Sequence, residues 1–157
     1  MEIERKFLIQ KKDLPENLSA YPHKKYTQGY LCTEPVLRVR REGDDYVVTY
    51  KSKGLLAREE HNLPLTEEAF SHLIQKADGL VISKSRYFIP EKDGLTIELD
   101  IFDDPLAPLI LAEVEFASVD EANAYTPPSW FGREVTKEST FHNSTLSRYG
   151  LPEGFML

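Results

Sequence analysis

The amino-acid sequence predicts an α+β protein that is mainly antiparallel β, with about eight strands and three helical interruptions. Three observations support this class. Apolar and polar residues alternate with period two in many short segments, Gly/Asp-rich turns separate several of them, and only three stretches carry helix-start signals. The first strand is expected over residues 2–9, where Glu2, Glu4 and Lys6 share one face while Ile3 and Phe7 take the other. Further strands are expected near 25–32, 36–42, 45–52, 57–63, 80–89, 95–102 and 110–116. Glu42-Gly43-Asp44-Asp45 and Glu91-Lys92-Asp93-Gly94 read as hairpin turns, because Gly and Asp tolerate positive φ. Thr66 caps a helix through about Lys76, with Glu67 and Glu68 in its first turn and Asp78-Gly79 ending it. Ser118-Val119-Asp120-Glu121 forms a capping box, and Pro127-Pro128 stops the short helix it starts. Trp130-Phe131 is expected to pack a helix against the end of the sheet. A last helix is expected from about Ser139 to Tyr149, closed by Gly150 and followed by Pro152.

The strands carry an unusual set of charges. Two carboxylates about 7 Å apart on one strand face suit a hard divalent cation, and a lysine beyond them extends the site toward an anion. The Glu2-x-Glu4-x-Lys6 pattern is echoed by Arg38-x-Arg40, Thr49-x-Lys51, Arg58-x-Glu60, Lys84-x-Arg86, Glu98-x-Asp100 and Glu113-x-Glu115. Solvated faces usually mix signs, whereas here basic and acidic pairs are segregated. The alternation suits either a sandwich with a wet charged face or a barrel with a charged interior. Eight antiparallel strands suffice to close a barrel, and closure with helices outside is the favoured reading.

Composition narrows the function classes. The chain has 157 residues and a net charge of −7, which argues against a general nucleic-acid or anionic-membrane binder. No apolar run approaches the ~18 residues that span a membrane, and no signal peptide precedes the first strand. The single cysteine, Cys32, excludes an internal disulfide, fits a reducing cytoplasm and is expected to be a small buried residue. The histidines show no metal-ligand spacing, and the glycines form no phosphate-cradling loop. Oligomeric state has no signature in the sequence.

The ordered series of charged pairs, followed by Glu134-Val135-Thr136 and Phe141-x-Asn143, resembles the CYTH superfamily, the triphosphate tunnel metalloenzymes. The resemblance runs from Glu2 to about Asn143 and implies one domain over 1–157 folded as an eight-stranded closed β-barrel, a tunnel with an inward-facing charged surface. It implies Mg²⁺ or Mn²⁺ as cofactor, with Glu2, Glu4, Glu98, Asp100, Glu113 and Glu115 as the metal-binding acids and Glu60 as a further tunnel acid. Lys6, Arg38, Arg40, Lys51, Arg58, Lys84 and Arg86 would bind a small triphosphate. Lys84, or Lys51 partnered by Tyr30, is the candidate base. The implied activity is hydrolysis of the terminal phosphate of tripolyphosphate or a related small triphosphate. Alternatives are a class IV-type adenylate cyclase, a thiamine or nucleoside triphosphatase, and a non-catalytic polyphosphate-binding module. One departure stands out: Asn62 occupies a position where such proteins commonly carry a second glutamate. Alanine at Arg40 or Glu115 should remove most triphosphatase activity without unfolding the protein; normal turnover in either folded variant, measured as phosphate release, would refute the assignment.

Overall fold

The computed structural model describes residues 1–155. Its nine strands are β1 (Glu2–Leu8), β2 (His23–Thr33), β3 (Val36–Glu42), β4 (Asp45–Lys51), β5 (Ala57–Arg58), β6 (Glu60–Pro64), β7 (Asp78–Pro90), β8 (Thr96–Phe102) and β9 (Ile110–Glu115). They form one sheet in the order β5-β1-β9-β8-β7-β2-β3-β4-β6, and every neighbouring pair is antiparallel. The two ends of that order are joined by a single residue, Glu59. The predicted fifth strand is therefore present but split. Its first half pairs with β1 and its second with β4, so that it bridges the sheet's two edges and brings the barrel close to closure. The break is tied to the end of β4, where the Ser52 N–H donates to the Glu59 carbonyl (3.1 Å) and the Ser52 hydroxyl accepts from the Glu59 N–H (2.9 Å).

Strand alternation divides the apolar residues into two clusters. Ile3, Phe7, Ile97, Leu99, Ala112 and Val114 belong to an outer core, covered by Ala122 and Tyr125. Leu8, Tyr30, Val36, Ile82, Phe102 and Leu111 share their strand faces with the charged residues and form an inner core at one end of the lumen. Burying both faces of the same strands commits the charges between them to a confined space.

Three helices complete the fold: α1 (Glu67–Ile74), α2 (Val119–Ala124) and α3 (Asn143–Tyr149). The first two lie outside, as expected. Thr66 caps α1 through its side chain, and Phe70 packs on Tyr46 with ring centroids 5.2 Å apart. Ser118 caps α2 by accepting from the Glu121 N–H, while Glu121 reaches back to the Ala117 N–H. The expected last helix is instead divided into a 3₁₀ turn at Ser139–Phe141 and α3, with His142 extended between them. It is also not wholly outside: Phe141 and Leu146 join the inner core and seal that end of the barrel. The interruption lets Phe141 enter the plug while Asn143 reaches the charged lumen.

Three smaller expectations need correction. Helix α1 ends at Ile74, and Asp78-Gly79 opens β7 instead of closing the helix. Gly79 has φ +69°, and a Cβ there would lie 2.3 Å from the Ser147 carbonyl oxygen, so glycine permits α3 to seat on β7. Trp130 and Phe131 cover the outer face of β1, with Phe131 4.9 Å from Phe7, rather than packing a helix on the barrel end. Cys32 is exposed, because register shifts near the end of β2 disturb its inward–outward phase. Among the described residues no helix is long and apolar enough to cross a membrane.

Truncating the fully buried Leu146 to Ala should cost about 2–5 kcal/mol by opening a cavity in the inner plug. Urea unfolding of the variant checks this; a loss below about 1 kcal/mol would show that α3 does not seal the barrel.

Candidate active site

The lumen holds a cavity of about 320 Å³ lined by seven bases (Lys6, Arg38, Arg40, Lys51, Arg58, Lys84, Arg86) and seven acids (Glu2, Glu4, Glu42, Glu60, Glu98, Glu113, Glu115). All the bases singled out from the sequence are present there, with Tyr30, Glu60 and five of the candidate metal ligands. Asp100 is the exception: on the same β8 face as Glu98, it is completely buried against Lys84 and Arg86 and does not line the cavity. Strand order explains how the signs segregate. Strands β1, β9 and β8 are consecutive and carry most of the acids, whereas β7, β3 and β4 carry most of the bases.

The acidic wall places like charges side by side. Glu4 lies opposite Glu115 on the β1–β9 ladder, and Glu98 lies opposite Glu113 on β8–β9. Such pairs destabilise a sheet unless a cation separates them. Burial, reinforced by the charges of Glu113 and Glu2, raises the Glu4 pKa to about 8. Burial and neighbouring Glu60, Glu2 and Glu98 likewise raise Glu115. Neither makes a salt bridge among the described residues.

Glu2 behaves differently. Burial acts to raise its pKa, but Lys51 at 2.8 Å and Arg58 at 3.0 Å outweigh it and bring the group to about 2. Glu113 is likewise held well below its usual range: burial is overcome by Lys6, 3.4 Å away, with Arg86 and Lys84.

A network of Arg86, Asp100, Glu98, Lys84 and Asn143 anchors the basic wall. Arg86 grips both oxygens of Asp100 (2.7 and 2.8 Å) and donates through its third nitrogen to Glu98 (2.7 Å). Lys84 also contacts Asp100 (2.7 Å) and donates to the Asn143 side-chain carbonyl (3.0 Å). One carboxylate thus serves two cations, and Arg86 holds it bidentately. Burial, with Arg86 and Arg40 adding to it, outweighs Asp100 and lowers the Lys84 pKa to about 7. Burial next to Arg38 and Arg86 brings even Arg40 down to about 10, although Glu42 lies 2.6 Å away.

Several participants were not singled out from the sequence. Glu42 read only as a turn residue, but it pairs with Arg40 at the cavity wall. Tyr26 lies beneath the guanidinium groups of Arg40 and Arg86, at 4.7 and 4.8 Å. Gln28 bonds Asn143 (3.0 Å), and His142 lines the cavity with its pKa lowered to about 4 by burial, Lys6 and Arg58. The period of two through Tyr26, Gln28 and Tyr30 was the available signal on β2; nothing in the sequence places His142 in the lumen.

The donors suit a hard divalent metal: they are all oxygen, and among the described residues Glu4 and Glu115 make no salt bridge to a cation. Among the described residues, no three acidic, His or Cys side chains already converge on one ion position.

A β-barrel with facing acidic and basic walls defines a protein equipped to hold a polyanion together with a metal ion. The CYTH domain model matches residues 1–147, and the chain belongs to that family. It is 41% identical over 150 residues to an inorganic triphosphatase of Nitrosomonas europaea, covering 93% of this chain and 96% of the relative. A second inorganic triphosphatase, from Acetivibrio thermocellus, is 34% identical and 92% of each chain is covered. A crystal structure of an inorganic triphosphatase matches at 37% identity with a TM-score of 0.68, covering 94% of both chains.

The Glu4 carboxyl gives a pH test. Its folded pKa lies above the ordinary 4.5, so its protonation favours the folded state at low pH and that contribution is lost as pH rises through about 8. Thermal unfolding in EDTA should therefore show a Tm decline from pH 5 to pH 9 that Glu4→Gln reduces; an unchanged slope would refute the charge repulsion at this wall.

Proposed function

We propose that this protein hydrolyses the terminal phosphate of inorganic tripolyphosphate, or a related small triphosphate, in a metal-dependent reaction. The observation that carries this reading is the opposition of the two walls across one cavity. The names of its two relatives support the same activity. A triphosphate spreads negative charge along three phosphoryl groups, and its hydrolysis needs positioning and preorganised cations more than a covalent nucleophile.

Arg38, Arg40 and Arg86 offer planar donors to phosphate oxygens; Lys6, Lys51 and Arg58 extend the cationic surface. Glu2, Glu4, Glu98, Glu113 and Glu115 would hold the metal. Bound there, Mg²⁺ or Mn²⁺ would supply charge neutralisation and Lewis acidity toward phosphoryl oxygens. Asp100 fixes Lys84 and Arg86.

Lys84 is the base this geometry favours. Although its amine contacts Asp100 at 2.7 Å, burial with Arg86 and Arg40 brings its pKa to about 7, whereas Lys51 lies between two carboxylates, Glu2 and Glu60, at 2.8 and 3.4 Å. Water attacks the terminal phosphorus in line, its proton passes to Lys84 Nζ, and the bridging P–O bond breaks to release pyrophosphate. Tyr30, deeply buried and 3.5 Å from Gln28 through its hydroxyl, shapes the cavity's inner end.

The lining favours an inorganic substrate over a nucleotide, since among the described residues Val36 and Val47 are its only aliphatic members. One unit spanning 1–157, working in a reducing cytoplasm, completes the reading.

Phosphate release from tripolyphosphate, ATP and thiamine triphosphate, with Mg²⁺, Mn²⁺ or EDTA, tests it. Metal-dependent release is expected to be greatest from tripolyphosphate; cyclic AMP from ATP, or binding without turnover, would overturn it. For the base, kcat/KM should rise with pH through about 7. Lys84→Arg, which keeps a charge but cannot accept the proton, should lower kcat by about 10²–10⁴-fold. A near-normal Lys84→Arg enzyme would leave Lys84 only an electrostatic role.

A further inference from the structure

The bases of the lumen are not equally neutralised. Lys6 pairs with Glu113, Arg40 with Glu42, Lys51 with Glu2 and Glu60, and Arg58 with Glu2. Lys84 and Arg86 share Asp100, and Arg86 also holds Glu98. Among the described residues, Arg38 is the one cavity-lining base with no carboxylate at salt-bridge distance. Its side chain is nevertheless buried, and its Nε has no hydrogen-bond partner. A buried guanidinium left in this state is costly unless a ligand completes it.

Strand register shows why it stays unpaired. Val36, Lys51 and Glu60 form one row across β3, β4 and β6, and there Glu60 faces Lys51 and contributes to its neutralisation. The next row is Arg38, Thr49 and Asn62. Asn62 holds the place equivalent to Glu60 but carries no charge. Its side-chain oxygen accepts from the Thr49 hydroxyl (2.5 Å), and that hydroxyl in turn accepts from Arg38 (3.2 Å). The row therefore orients the guanidinium without cancelling it. The consequence reaches Arg40, whose pKa is lowered in part by the adjacent Arg38 charge.

We propose that Asn62 is a specificity-determining residue: by positioning Arg38 through Thr49 while leaving its charge uncompensated, it reserves Arg38 for a phosphoryl group and sets the tunnel's affinity for highly charged polyanions. This inference rests on the triphosphate reading above. It predicts that charge at position 62, rather than its shape, controls binding.

Asn62→Asp is the direct test, because it preserves side-chain size and the acceptor for Thr49 while adding a negative charge beside Arg38. Asn62 is solvent-accessible, so the variant should fold. Calorimetric binding of tripolyphosphate in EDTA should weaken by about tenfold, and KM in the metal-dependent reaction should rise far more than kcat falls. The ligand-free Tm should rise, since Arg38 gains a counter-charge. Asn62→Ala, which stays neutral, should bind more tightly than Asn62→Asp. Unchanged tripolyphosphate affinity in Asn62→Asp, or a gain in Mg²⁺ affinity without loss of tripolyphosphate binding, would overturn the role of Asn62. Failure of the wild-type protein to bind tripolyphosphate would overturn the functional reading as well.

Discussion

The grip of Arg86 on both oxygens of Asp100 is the interaction on which the rest of the lumen depends. A barrel interior is a poor place for charge, since moving an ion out of water costs several kcal/mol even after local relaxation. Asp100 offsets this cost for two cations at once, because Lys84 contacts it too. Arg86 then extends to Glu98 on the acidic wall. The shared carboxylate does not fully offset burial for Lys84, whose pKa is depressed first by burial and then by the neighbouring Arg86 and Arg40 charges.

The second constraint is geometric. An eight-stave barrel with a polar lumen needs one end filled, or water would compete for every buried charge. The inner faces of β1, β3, β7, β8 and β9 turn from charged to apolar toward one end, β2 adds Tyr30 there, and Phe141 and Leu146 complete the plug. The same segment delivers Asn143 to Lys84 and Gln28. Sealing the barrel and positioning the candidate base are consequently linked through one short stretch of chain.

Function follows from the incomplete balance of these charges. Most bases have an acidic partner, so the folded protein tolerates them; among the described residues Arg38, Glu4 and Glu115 make no salt bridge. An anion and a hard cation would complete both walls together. Substrate and metal therefore correspond to the two unmet electrostatic needs of the fold, and Asn62 helps to keep one of them unmet.

The strands were legible in the sequence because side-chain direction alternates with a fixed period, which placed Glu2, Glu4 and Lys6 on one face and Ile3 and Phe7 on the other. The segregated pairs identified the seven cavity-lining bases and most of the acids before any long-range contact was known. Periodicity describes one strand at a time, however, and it did not separate barrel from sandwich; the family resemblance did. Tertiary structure decided what register alone controls. It buried Asp100 against Lys84 and Arg86, brought Glu42 beside Arg40, turned Phe141 inward and placed Asn62 in the same row as Arg38. All but the Arg40–Glu42 pair, which lies two residues apart on β3, join residues distant in the chain, and their energies depend on burial and separation, neither of which a local sequence pattern contains.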